Sequence, residues 1–260
     1  MNDFIANTVK NNALLRNIKK RYDLGFQNAL LFTGDTGTGK TKFALMVYYF
    51  ISKGILNRKT LNMKDDLFCY SISDFSSVLT GTDRQVIFYD EAGVELDIGN
   101  WNSVFNRMLS HILQTQRVKQ NFYFFILPHK RLITQTHWVL FNYYIIVQNE
   151  LRNILNKNGV VTKQDIHRLA YTYKIRTQHF DFSESSHYIN YYGLGRYNIP
   201  DYSKGDEWKE FRDFVKEYEK YENKRKQSIA QDIENQTKMI IKKKDIENEK
   251  VRAQAEKLGI

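Results

Sequence analysis

The sequence predicts an α/β fold: a three-layer arrangement around a mainly parallel sheet, followed by a β-hairpin and a long charged C-terminal helix. Three observations lead there. Short, continuous apolar runs recur between segments of helical periodicity, the pattern of strands buried on both faces of a parallel sheet. Three glycines crowd the stretch TGDTGTGKTKFALMVYYF (33–50) directly before a helix-like run. Two acidic residues close another apolar run in VIFYDEAG (86–93), at the kind of strand end where open α/β sheets bind ligands.

Taken in order, residues 4–20 carry apolar side chains at helical spacing and end in the basic cluster Lys19, Lys20 and Arg21. Asn28–Thr33 is a short apolar strand, and Lys40–Ser52 a helix with Gly54 as its terminator. Leu67–Tyr70 reads as a strand and Ser71–Thr80 as a short capped helix. Val86–Tyr89 and Phe122–Leu127 are continuous apolar strands, with a long helix over Asn102–Lys119 between them. Ile133–Asn142 is expected to be helical, and Tyr143–Val147 a further strand. Tyr171–Arg176 and His187–Tyr192 form the expected hairpin, in which Tyr191 and Tyr192 serve as cross-strand partners. From Ser203 onward the chain is highly charged, with Trp208, Phe211, Phe214, Val215 and Tyr218 at helical spacing. Four regions follow: an N-terminal helix (1–27), a core (28–150), a hairpin extension (151–202) and a charged helical tail (203–260).

The 260 residues suffice for one sizeable domain with an appendage, and 42% apolar with 26% charged content is ordinary for a globular protein. A net charge of +10 favours polyanionic partners, nucleic acid before anionic membrane. The single cysteine, Cys69, excludes an internal disulfide and reads as a core thiol. No apolar run approaches the roughly 20 residues of a membrane span. The polar start MNDFIANTVKNN carries no secretory pattern, and a cytoplasmic setting is expected, with any membrane contact left to a partner.

Gly34, Asp35, Thr36, Gly37, Thr38, Gly39, Lys40 and Thr41 fit G-x-x-x-x-G-K-[ST] in full, with a strand before and a helix after. Glycines let the backbone curl so that successive N–H groups converge on phosphate oxygens. The helix start adds partial positive charge. Lys40 would reach the β- and γ-phosphates, and the Thr41 hydroxyl would coordinate Mg²⁺. Asp90 would hold the same metal, and Glu91 would polarise a water for attack on the γ-phosphate. The expected ligands are therefore ATP and Mg²⁺, on a phosphate-loop NTPase fold of RecA type.

The Asp-Glu pair resembles the branch of phosphate-loop ATPases that has a catalytic glutamate and an extra strand between the loop strand and the acidic strand. Phe122–Leu127 would be that inserted strand. The helix before it closes in Leu113-Gln114-Thr115-Gln116-Arg117. This order of acidic strand end, long helix with a terminal arginine, and apolar strand resembles the FtsK/HerA-type DNA-pumping ATPases. Viral packaging and conjugation motors belong to that group, and the order also looks like the zonula occludens toxin-like ATPases of filamentous phages. The resemblance covers about residues 28–147.

It implies that Arg117 is an arginine finger reaching the γ-phosphate held by a neighbouring subunit, with Arg107 as second candidate. The bland alternative is an arginine favouring the helix dipole. Where the family usually ends the inserted strand in Thr-Gln, this chain has Leu127-Pro128-His129, so His129 or Lys130 would have to replace the sensing glutamine. The basic stretch HKRLITQTHW (129–138) would line a DNA channel or form a solvated loop.

The reading that results is an ATP-hydrolysing DNA translocase working as a homo-oligomeric ring, a hexamer, on double-stranded DNA, packaging or transferring viral or plasmid DNA. An AAA+-type replication initiator or helicase loader would need a helical lid where strands are expected at 171–192. A toxin-like phage assembly or export ATPase is the other alternative.

Overall fold

A computed structural model describes residues 3–61, 67–69, 75, 78, 83–90, 119–128, 133, 138, 140–155, 161–179, 187–225, 227–228 and 231. The expected helix over Asn102–Lys119, nearly all of the one over Ser71–Thr80 and most of Ile133–Asn142 lie outside the described residues. The chain divides into two compact units, Met1–Arg212 and Asp213–Ile260. The second unit is helical from 213 to 225.

The first unit begins with α1 (Asp3–Asn11) and α2 (Ala13–Asp23), where the apolar periodicity alone predicts one continuous helix. Asn12 makes the break. Its backbone is extended (φ −81°, ψ 119°), and its side-chain carbonyl accepts from the Leu15 N–H at 3.1 Å, a side-chain N-cap for α2. The basic cluster is used at the end of α2: Lys19 pairs with Asp23 at 2.6 Å. Arg21 lies over the Phe26 ring and donates to the Gln27 carbonyl at 3.2 Å.

Next come β1 (Asn28–Thr33), α3 (Lys40–Gly54), β2 (Leu67–Cys69), β3 (Val86–Asp90) and β4 (Phe122–Ile126). They are followed by β5 (Tyr143–Leu155), β6 (Val161–His179) and β7 (His187–Asn198). The seven strands form one sheet in the order β2-β3-β4-β1-β5-β6-β7. Strands β1 to β5 are parallel, whereas β5–β6 and β6–β7 pair antiparallel. As the acidic strand end led one to expect, β4 lies between β3 and β1.

Every residue of β1, β3 and β4 is buried. On one face Phe124 packs at a tilt against both Phe32 and Phe88, which meet Phe43 and Tyr48 of α3 edge-on. On the other, Tyr89, Tyr123 and Phe125 surround Phe75, with Trp138 and Phe141 in the same cluster. Apolar side chains on both alternating faces explain why these strands read as unbroken apolar runs. Cys69 is buried among them.

Two expectations need correction. Gly54 has no left-handed backbone and does not end α3 by a glycine cap; a Cβ there would lie 2.6 Å from Val9 Cγ2, so the glycine admits α1 against α3. And the strands after residue 143 are far longer than their apolar segments. β5 runs through Leu155, and β6 pairs with it from Lys174 back to Val161. Tyr191 of β7 lies 5.8–6.3 Å from the rings of Tyr144, Tyr173 and Trp138, extending an aromatic cluster along the sheet.

Candidate nucleotide site

The loop of residues 34–39 leaves the end of β1 and delivers the chain into α3. Gly34, Gly37 and Gly39 have φ of 147°, 79° and 90°, a backbone that L side chains rarely adopt. At Gly34 glycine is required twice over, because a Cβ would also stand 2.0 Å from the Val147 carbonyl oxygen of β5. Thr38 folds the loop inward: its N–H and hydroxyl both donate to the Asp35 carbonyl, at 3.3 and 2.8 Å. Asp35, Thr36 and Gly37 are exposed and Thr38 buried, so the rim of the loop faces outward.

Gly39 precedes α3 and supplies no side-chain cap, so no side chain covers the first N–H groups of the helix from that position. Lys40 is buried to 6% exposure. Its ammonium crosses the mouth of the loop and donates to the carbonyls of Gly34 and Asp35 at 2.8 and 2.9 Å. A buried lysine satisfied by loop carbonyls sits where phosphate oxygens could take over that role. Thr41 extends the other way: its hydroxyl donates to Asp90 Oδ2, at the C-terminal end of β3, at 3.0 Å. Because β4 separates β3 from β1, that bond ties the start of the loop helix to a strand end two places away in the sheet.

Of the residues singled out from sequence, the structure thus brings together Gly34 through Thr41 and Asp90. Glu91, Arg107, Arg117, His129 and Lys130 lie outside the described residues. A hydroxyl and a carboxylate within 3.0 Å form the hard oxygen pair that suits Mg²⁺. Behind the loop, Thr33 donates to the Tyr144 hydroxyl at 3.0 Å, and burial pushes the Tyr144 phenol above its ordinary pKa despite that bond.

Motif reading missed a second set of residues. A cleft of about 450 Å³ opens beside Gly39 and Lys42. Its other walls are Asn149 of β5, Ile166, His167 and Arg168 of β6, and the segment 198–203. The Ile199 N–H donates to the Arg168 carbonyl at 3.0 Å, which fixes that segment to β6. Asn149 and residues 166–168 lie in polar strand sequence (QNELRN, KQDIHR) with neither a motif nor an apolar alternation to flag them.

Among solved structures, the chain is similar to the N-terminal domain of zonular occludens toxin from Neisseria meningitidis. The likeness has 17% identity and a TM-score of 0.31, over 64% of this chain and 94% of that one. It is also similar to the flagellar accessory protein FlaH from Methanocaldococcus jannaschii, at 12% identity and a TM-score of 0.28, over 62% of this chain and 91% of that one. Comparison with protein families and with curated proteins finds no match. Likeness at this level leaves the functional case with the chain's own sheet order and loop. No described helix is long and apolar enough to cross a membrane.

Proposed function

We propose that this chain is a Mg²⁺-dependent ATPase and, more finely, a DNA-translocating motor that works as a ring. The observation that carries the ATPase reading is the 3.0 Å bond from Thr41 to Asp90, beside a loop held open by three positive-φ glycines. When ATP binds, Lys40 exchanges the two loop carbonyls for β- and γ-phosphate oxygens, and the loop N–H groups hold the remaining oxygens. Thr41 and Asp90 would hold Mg²⁺, which would supply positive charge against that of the phosphates. Glu91 takes a proton from water as the water oxygen bonds to the γ-phosphorus. The bond from that phosphorus to the β–γ bridging oxygen breaks, leaving ADP and inorganic phosphate.

The finer reading is supported by the net charge of +10, by β4 lying between β3 and β1, and by the resemblance of the segment ending in Arg117. In it, Arg117 of one subunit reaches the γ-phosphate held by the next, and the proposed assembly is a hexameric ring around double-stranded DNA.

ATP turnover measured with and without double-stranded DNA tests both levels. Lys40→Ala should lower turnover at least about a hundredfold, and Arg117→Ala about a thousandfold. Undiminished turnover in Lys40→Ala ends the ATPase reading. If DNA leaves turnover unchanged and Arg117 is dispensable, the motor reading ends and the ATPase reading stands.

A further inference from the structure

We infer that the cleft between α3 and the β5–β6 ribbon is the nucleoside site, with Ile166 as an apolar floor for the base. The inference rests on the phosphate-loop reading and adds to it the part of the ligand that no motif residue touches.

The direction of the bound chain follows from strand order. Thr41 and Asp90 mark the metal end of the site, on the side of the loop toward β3. The cleft lies on the opposite side, because Asn149 and Arg168 belong to β5 and β6, beyond β1 in the sheet order β3-β4-β1-β5-β6. A linear triphosphate laid along the loop with its γ end at the metal must therefore point its other end into the cleft. Gly39 and Lys42 line the cleft as well as belonging to the loop and its helix, so the two spaces are continuous.

The walls have the character of a nucleoside pocket. Asn149 pairs with Arg168 and Leu151 with Ile166 across the ribbon, which puts these four side chains on one face. Ile166 lines the cleft at 61% exposure, with its cross-strand partner Leu151 at 68% beside it, two of the few large apolar side chains left to water among the described residues. An exposed apolar side chain, Ile166, beside polar ones in a cleft of about 450 Å³ suits a flat heterocycle with a sugar attached. Arg168 runs alongside the loop: a Cβ at Gly39 would lie 3.7 Å from its Cδ, so its charge is available to the phosphate nearest the sugar. Asn149, Asn198 and Ser203 supply hydrogen-bonding groups for sugar hydroxyls.

Calorimetric binding to the full chain of Mg·ATP and of Mg·inorganic triphosphate, which lacks a nucleoside, tests this. Wild type should bind ATP at least about tenfold more tightly than triphosphate. Asn149→Trp fills the cleft from an exposed position. It should bring the ATP affinity down to that of triphosphate while leaving the triphosphate affinity within about twofold. Ile166→Ser, which opens the floor without filling it, should lose part of the same advantage with an unchanged melting temperature. Equal affinities in wild type, or an intact ATP advantage in Asn149→Trp, overturns the inference. Lys40→Ala separates the two levels: it should weaken both ligands. If it does and Asn149→Trp still prefers ATP, the cleft assignment alone fails. If Lys40→Ala binds triphosphate as wild type does, the phosphate-loop reading fails with it.

Discussion

The two halves of the sheet are built on different principles. In β1, β3 and β4 every side chain is buried, and aromatic rings fill both faces. In the antiparallel ribbon, Leu151, Ile166, Tyr191 and Tyr192 are all exposed. The buried half anchors the loop and Asp90. The ribbon, held to it through the β1–β5 pairing, supplies the wall of the cleft. A buried parallel core thus carries the glycine loop and Asp90, while exposed ribbon positions such as Asn149, Leu151 and Ile166 are left to shape what lies beside it.

The largest expected effect tests that division directly. Phe124 is fully buried, with ring centroids of Phe32 and Phe88 at 5.3 and 4.9 Å. Phe124→Ala should lose about 3–5 kcal/mol in chemical denaturation, whereas Leu151→Ala on the ribbon should stay within about 0.5 kcal/mol. A loss above about 2 kcal/mol for Leu151→Ala would mean that the ribbon is packed in solution and the contrast is false.

How much was legible in the sequence follows the same division. Val86–Tyr89 and Phe122–Leu127 were visible as strands because burial on both faces forces an unbroken apolar run, and the glycine loop because positive φ and close approach force glycine. The ribbon beyond Val147 was not legible: with Gln148, Asn149, Leu151, Ile166 and Arg168 exposed, QNELRN and KQDIHR face no requirement to alternate, and pairing with a neighbouring strand leaves no mark on side-chain type. Asn12 was missed as a break because the apolar stripe continues across it; the signal lay in an asparagine three residues before Leu15, a cap spacing. Cleft residues such as Arg168 were invisible for the further reason that they meet Gly39 only through the fold.

The junction of the two halves gives the next prediction. Gly34 packs against Val147 of β5, and neither main chain can retreat, since both adjoin paired strand. Gly34→Ala should cost about 3 kcal/mol, combining backbone strain with a main-chain clash, and should weaken Mg·ATP binding as well. Gly37 has φ of 79° but open space around its Cβ position, so Gly37→Ala should cost only about 1–2 kcal/mol from strain alone. Equal losses at both positions would show that the contact with β5 is not what fixes the loop.

The smallest effect is one of pH, and it belongs to the buried half. Burial pushes the Tyr123 phenol from 10.0 up to about 12, against a 3.2 Å hydrogen bond from Asn121 that favours the ionised form. Below pH 10 the phenol is neutral in the folded and unfolded chain alike, so it makes no pH-dependent difference there. Between about pH 10 and 12 the unfolded chain gives up this proton and the folded chain keeps it. Stability therefore falls as pH rises through that window, by up to about 1.4 kcal/mol per pH unit for this one group. Tyr123→Phe should unfold like wild type to within about 1 kcal/mol at neutral pH and show a shallower loss in the alkaline window. Leu151→Ala should keep the wild-type slope, because Leu151 is exposed and lies outside the cluster that buries the phenol. An unchanged slope in Tyr123→Phe would mean that water reaches the Tyr123 hydroxyl and that this face of the parallel half is less tightly closed than its packing implies.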